Sequence, residues 1–425
     1  MKKIFLSLAL LSFASLSFAD EAFLVRVTNN WTQPRKAVPV EWTFKKAQQI
    51  LGYKNITASV DGVEIPAQLD DLDGDGKADA FCFLIDLDAQ SSKEVRVVCR
   101  REPATAQPEP KVYAEMLLSD KKGHKPIQSL SVPDGVDVYN NLHHHGPAFE
   151  NELVAFRLYF DHRQTVDIYG KRHKGLEIED TQFYPTPEQL AAGYGDDILW
   201  AGTTVSVGSF RGFVDNQPTF IQPVEMRTER ILSYGPVRTV VEIVDKGWDY
   251  QGQKLNMTQR YTLYAGHRDM HVDVNVKAEE NIASTFCTGV LKFPGGDEMM
   301  DGRGLAATWG SNWAAGPKDT LNRVKETLGV AVCVPEKQLG GAQKEGENLL
   351  YLFGGDRNYS IAGKASLTVP AKEMTLSYDV AFCSDKEEWE GSIHSSRAWF
   401  DWAYTWKEEL QQSVIVRLKK VMLKQ

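Results

Sequence analysis

Asp71, Asp73, Asp75 and Asp79 lie in the run Asp71-Leu72-Asp73-Gly74-Asp75-Gly76-Lys77-Ala78-Asp79. Carboxylates at alternate positions converge on one point and Gly76 permits a sharp turn, which is the donor pattern of a calcium loop. Cys82 stands where such loops commonly end in Glu, and the run leads straight into an apolar stretch. The expectation is a structural calcium held by these four aspartates at the head of a strand. A solvated acidic turn accounts for the same residues without a metal.

His143, His144 and His145 are consecutive, with Glu150 shortly after them. On extended backbone, side chains alternate, so His143 and His145 can face one side and His144 the other. Imidazoles beside a carboxylate can bind a metal or exchange protons near neutral pH. An incidental surface loop is the alternative. A third group contains Tyr159, Asp161, His162, Arg163, Asp167, Tyr169, Lys171, Arg172 and His173. With a period of two, Asp167, Tyr169 and Lys171 share a face. A tyrosine beside cations is what a lyase base requires, because positive charge favours the phenolate. Arg157, Arg163 and Lys171 are the side chains that would hold a uronate carboxylate. A charged solvent face explains the same pattern without chemistry.

The fourth group ends in Gly193-Tyr194-Gly195-Asp196-Asp197. Adjacent carboxylates in a glycine-flanked loop suit a clamp on sugar hydroxyls, a metal site or half of a glycosidase pair. A helix end followed by an acidic turn is the plainer account. Tyr184, Trp200, Trp248, Trp309 and Trp313 are compatible with stacking on sugar rings. No G-x-S-x-G elbow, P-loop, H-E-x-x-H or strand-turn-helix G-x-G-x-x-G occurs, which argues against a serine triad, nucleotide chemistry and zinc proteolysis.

The elements that must position these groups read as strands. Short alternating runs between turn signals fill the chain, as in residues 23–27, 38–42, 80–87, 94–99, 113–118, 153–160 and 166–169. Longer runs over 227–232, 237–244, 255–264 and 271–276 predict an antiparallel meander of the kind that builds large face-to-face sheets. Helices are expected only at 187–192, where Pro187 opens and Gly193 closes the segment, and at 396–410. The Pro-rich stretch 101–110 marks a soft boundary between an N-terminal β region, 20–110, and a main domain, 111–425.

The chain has 425 residues, 42% hydrophobic and 25% charged, with a formal charge of −9. Length and composition suit a folded protein with a large core, and the acidic balance argues against a dedicated nucleic-acid binder. Lys2 and Lys3, the apolar residues 4–16 and the Ser17-Phe18-Ala19 pattern predict a signal peptide, 1–19. The expectation is a periplasmic or secreted protein without a membrane anchor. Five cysteines, Cys82, Cys99, Cys287, Cys333 and Cys383, mostly in apolar runs, are expected as buried thiols, with a Cys82–Cys99 disulfide left open.

Several of these segments together resemble the domain-of-unknown-function 4861 family. They are Asn29-Asn30, residues 68–76, His144-His145-Gly146 with Glu150-Asn151 and Ala155-Phe156-Arg157, Asp167-Ile168-Tyr169-Gly170-Lys171, residues 189–199 and Gly208-Ser209-Phe210-Arg211-Gly212. The resemblance covers nearly all of the chain after the leader. It implies a galactose-mutarotase-like β-sandwich and an association with export and polysaccharide utilisation in Bacteroidetes-type bacteria, and it assigns no catalytic residue. The resulting expectation is a carbohydrate-active enzyme whose partner is an oligosaccharide or polysaccharide. It would act as a lyase through Tyr169 or a loop histidine, with Arg157, Arg163, Lys171 and Tyr194 binding substrate. The alternatives are a glycoside hydrolase using Glu150 with Asp196 or Asp197, and a non-catalytic glycan-binding protein.

Overall fold

The computed structural model describes residues 20–105, 108–120, 122–314, 316, 325–354, 359–361, 364–366 and 371–422, so the expected leader at 1–19 lies outside the described residues. Strand makes up 51% and helix 8%, an all-β protein. Its named sheets are antiparallel throughout.

The meander forms the middle of a nine-stranded sheet. Its order is Ser129–Pro133, Met226–Tyr234, Arg238–Tyr250, Gln253–Tyr264, Asp269–Ala278, Glu373–Ser384, Glu326–Cys333, Leu305–Asn312 and Asp297–Met300. Alternation dictates the two faces. Met270, Val272, Val274 and Val276 are fully buried, while His271, Asp273 and Asn275 point the other way. The buried face packs against two five-stranded sheets around one core that includes Phe156, Ile168, Phe210, Phe286, Tyr261 and Val272. One of these sheets runs Asp196–Asp197, Val166–Gly170, Ala155–Leu158, Ala148–Asn151, Val112–Glu115. The other runs Gln217–Thr219, Arg211–Val214, Thr285–Leu291, Asn348–Gly354, Gly341–Glu345.

The N-terminal strands build a separate small sandwich. Glu21–Asn29 lies between Ser91–Arg100 and the last strand, Ile415–Val421, so the end of the chain completes the sheet that its beginning starts. Phe23, Val25 and Val27 face Val40, Phe81 and Phe83 of the opposing three-stranded sheet. A buried joint ties this sandwich to the large sheet: Arg238 donates to Asp70 Oδ2 at 2.7 and 3.0 Å, and Gln68 Oε1 accepts the Val237 and Arg238 amides.

Both expected helices form. Thr186 caps Pro187–Ala191, and Ser395 caps Ser396–Leu410. The second helix buries Trp399, Ala403 and Trp406, spaced for one face, on the small residues Ala307, Ala331 and Ala381 of the large sheet. At Gly329 a Cβ would come within 2.7 Å of the Trp399 ring.

Two expected strands are interrupted. The run 153–160 begins only at Ala155, because Asn151 Oδ1 accepts the Leu153 and Val154 amides and turns the chain before it. The run 113–118 breaks at Met116 into Val112–Glu115 and Leu117–Asp120. All five cysteines are buried free thiols. No helix among the described residues is long and apolar enough to cross a membrane.

Candidate functional site

The five-stranded sheet ending in Asp196–Asp197 sends its apolar side chains, Phe149, Phe156, Leu158, Val166 and Ile168, into the core. Its other face is polar. Ala155, Arg157 and then Tyr159 follow one another at period two, and the register pairs Arg157 with Asp167 and Tyr169 with Asp197. Glu115 and Glu150 lie on the neighbouring strands. A buried polar face must be hydrogen-bonded or covered by polar partners. Here residues 171–195 form a roof over it, with Ile178 and Phe183 packed against Ala148, Ala155 and Tyr169.

At the edge of the roof the groups connect. Arg157 Nε and Nη2 donate to Asp167 Oδ2 at 3.0 and 2.7 Å, and Nη2 also donates to Asp197 Oδ2 at 2.8 Å. Tyr159 donates its hydroxyl hydrogen to the same Asp167 oxygen at 2.6 Å. Arg157 Nη1 donates to the Tyr184 hydroxyl at 2.7 Å, and that hydroxyl lies 3.0 Å from His145 Nε2. His145 Nδ1 is 2.8 Å from the Tyr139 carbonyl oxygen, which can only accept. The imidazole hydrogen therefore sits on Nδ1, and Nε2 accepts from Tyr184. The rings add a layer: His145 stacks on Tyr139 at 3.6 Å, and the Arg163 guanidinium lies over the Tyr139 and Tyr159 rings at 4.9 and 5.0 Å.

The charges follow from this packing. Burial opposes the charge on Arg157, but Asp167 and Asp197 outweigh it and hold the guanidinium ionised. Burial pushes the Asp197 carboxyl up to about 7 against the pull of Arg157. Burial also lowers the His145 imidazole, so it is a neutral acceptor at pH 7. Burial raises the Tyr184 phenol, and Arg157 pulls it back.

Backbone conformation sets which aromatic group reaches the opening. Gln182 and Phe183 both have positive φ, 50° and 66°, and so does His145 at 62°. For side chains other than glycine this region costs about 1–3 kcal/mol, and such residues concentrate at functional sites. The reversal turns Phe183 inward, 4.2 Å from the Arg157 guanidinium and 5.3 Å from the Tyr169 ring. It turns Tyr184 outward, where 37% of the residue is exposed.

The expected site residues divide accordingly. His145, Arg157, Arg163 and Asp197 meet in this network. Tyr169 is fully buried beneath Phe183, and burial and Glu177 drive its phenol far above the ordinary value. Glu150 and Lys171 are also sealed. Lys171 Nζ lies 2.5 Å from Glu150 Oε2 and donates to the carbonyls of Asn151 and Gly175, while Glu150 Oε1 accepts the Glu177 and Ile178 amides. This pair anchors the roof. His144 is buried 2.6 Å from Glu115, and burial drives both toward their neutral forms. The His143 ring lies against that of His124, tilted by 38° with centroids 3.9 Å apart, and burial brings its imidazole down to about 4. Asp196 pairs through its backbone with Gly170. Tyr194, just past helix Pro187–Ala191, donates to Asp180 at 3.0 Å and so ties that helix's end to the short helix Ile178–Thr181.

The acidic loop belongs to the N-terminal sandwich, outside this network. Carboxylate oxygens of Asp71, Asp73 and Asp79 lie within 4.8 Å of one another, a donor set that fits calcium, whereas Asp75 pairs with Lys77 at 3.0 Å. The same carboxylates accept loop amides, among them Gly74 and Gly76 on Asp71 and Leu72 on Asp79.

Sequence reasoning offered Tyr184 only as a stacking ring and did not assign a role to Tyr139, Tyr159 or Asp167 at the centre. Asp167 and Tyr159 lie at period two from recognised groups, which was the available signal. The reversal at Gln182 and Phe183 carries no glycine to announce it.

The solved structures that match this chain include two from Enterococcus faecalis. One is a protein in the glycosyl hydrolase family 38, with 9% identity, a TM-score of 0.45 and coverage of 94% of this chain and 47% of that one. The other is an alpha-mannosidase, with 10% identity, a TM-score of 0.43 and coverage of 94% and 46%. The chain spans about half the length of these two structures. No curated protein matches. The profile of the family described as "Domain of unknown function (DUF4861)" matches residues 27–416, nearly the whole chain, and the chain belongs to that family.

Proposed function

We propose that this is an exported carbohydrate-active enzyme that cleaves a uronate-containing oligosaccharide by β-elimination, with Tyr184 in the place first expected for Tyr169. The observation that carries this reading is the Tyr184 hydroxyl, held between Arg157 Nη1 and His145 Nε2 at 2.7 and 3.0 Å. Tyr184 passes its proton to His145, and the adjacent guanidinium stabilises the phenolate. The phenolate takes the C5 proton of the uronate. The electron pair left on C5 forms the C4=C5 double bond and expels the C4 oxygen, which takes a proton from Tyr184. His145 then returns the first proton to Tyr184. Arg163, half-buried over the Tyr139 and Tyr159 rings, donates through Nε and Nη2 to Asp161 at 2.8 and 2.5 Å, so it holds those rings in place as a positioning residue. Glu150 and Lys171 act as positioning residues under the roof.

The test follows ultraviolet absorbance of the unsaturated uronate while the purified chain meets polygalacturonate, alginate and glucuronate-containing polymers. The expected result is a rise in absorbance that Tyr184→Phe lowers by about 10²–10⁴-fold. A rise that survives in Tyr184→Phe would refute the assignment. Asp197 supports a second reading, since a carboxyl near 7 suits the proton donor of a hydrolase. Polymer shortening without new absorbance, lost in Asp197→Asn, would select it. Glycan binding with neither signal would select the non-catalytic alternative.

A further inference from the structure

A second cleft, of about 850 Å³, opens on the outer face of the nine-stranded sheet. This is within the ~300–1,000 Å³ range of ligand sites. Its walls come from three parts of the chain: strand Arg35–Thr43 of the small sandwich, the middle strands of the large sheet, and helix Ser396–Leu410 with the turn that carries Trp389. It shares no residue with the Tyr184 network.

The floor is a row of paired positions, Thr262, His271 and Asp379, on three adjacent strands. His271 Nδ1 lies 2.8 Å from Asp379 and Nε2 lies 3.3 Å from Asp273, yet 39% of its side chain stays accessible. Burial opposes protonation there, but the two carboxylates outweigh it, so the imidazole is a charged donor. Asp273, 51% exposed, is an acceptor beside it. Half-buried Trp389 and Trp402 supply apolar rings at the wall.

The cleft's cations are largely committed. Arg35 is bound to Glu409, Arg268 to Glu387 and Lys36 to Asp86, leaving Lys174 at the rim. Paired charges offer little to a carboxylate or phosphate. Adjacent donors and acceptors beside indole rings match a ligand with many hydroxyls on a ring that has an apolar face. We propose that this cleft binds a neutral saccharide chain, with one ring against Trp389 and a hydroxyl donated to Asp273, which His271 holds in place.

The test titrates the purified chain with cellotriose, mannotriose and xylotriose, with trigalacturonate as the anionic comparison, followed by tryptophan fluorescence and saturation-transfer NMR. At least one neutral trisaccharide is expected to bind, and Trp389→Ala and Asp273→Asn should each weaken it about tenfold. Tyr184→Phe should leave that affinity unchanged. Asp273 is exposed, so its variant keeps the fold, which circular dichroism verifies. The proposal is overturned if no neutral trisaccharide binds at about 10 mM, if both cleft variants bind as well as the parent, or if only trigalacturonate binds. Loss of binding in Tyr184→Phe would also overturn it, by moving the saccharide to the other site.

Discussion

Lys171→Met tests whether the sealed ion pair holds the roof. Neither Lys171 nor Glu150 has any exposed side-chain surface. Methionine keeps much of the apolar stem but supplies no donor. It would leave the Glu150 carboxylate without its cation and the Asn151 and Gly175 carbonyls without their shared ammonium. Removing one partner of a buried pair costs about 3–5 kcal/mol. An orphaned carbonyl adds to that unless water reaches it, so about 4 kcal/mol is a conservative expectation. At about 2 °C per kcal/mol for a large domain, the melting temperature should fall by roughly 8 °C. Adding Glu150→Gln removes the stranded charge and keeps an oxygen for the Glu177 and Ile178 amides. The double variant should therefore recover about 2 kcal/mol over Lys171→Met alone. Urea unfolding followed by tryptophan fluorescence, with calorimetry beside it, gives both numbers. A loss under about 1 kcal/mol in the single variant, or a double variant less stable than the single, would refute the reasoning.

Other consequences follow from the same geometry. If Asp71, Asp73 and Asp79 hold calcium, millimolar calcium should raise the melting temperature above that in chelator, and Asp79→Asn should abolish the difference; equal melting with and without chelator in the parent would count against the site. Asp197 has a raised folded value of about 7, so its contribution to stability is present at low pH and is lost as the pH rises from about 4 through 7. Melting temperature against pH should accordingly fall more steeply over that window in the parent than in Asp197→Asn, and identical profiles would remove the assignment. Burial raises all five thiols, so a thiol reagent should find none in the folded chain and five in denaturant without reductant; fewer than five would reveal a disulfide.

Much of the scaffold was legible because alternation reports burial directly. Met270, Val272, Val274 and Val276 sit at the spacing that puts them in the core, and the helix at Ser396–Leu410 carries its Trp and Ala residues on one face. Pairing between distant segments was not legible. Nothing in Ile415–Val421 says that its partner is Glu21–Asn29, since any alternating strand of that length could complete the edge. The break at Asn151 was visible only in hindsight, as a side chain that competes for backbone amides.

The candidate site was legible to the level of a face and no further. A period of two places Asp167, Tyr169 and Lys171 on one face, and the register sets Arg157 beside Asp167 and Asp197 beside Tyr169. Periodicity says nothing about what covers that face, and the cover decides which phenol can exchange a proton. Phe183 seals Tyr169 and packs on Arg157, while the next residue, Tyr184, reaches the opening and receives the same guanidinium's remaining hydrogen bond. Two consecutive left-handed residues produce that inversion, and their conformational cost must be offset by contacts elsewhere in the roof. Lys171 and Glu150 below, the Gly195 amide on Glu177, and Tyr194 on Asp180 are the bonds in place to do so. At Gly195 a Cβ would lie 2.1 Å from the Gly170 carbonyl oxygen, so the roof can close only because that position has no side chain. The residues first singled out for catalysis at Glu150 and Tyr169, and for substrate binding at Lys171, thus form the support on which Tyr184 and His145 are presented, and a weakened support should appear as slower turnover before it appears as weaker substrate binding.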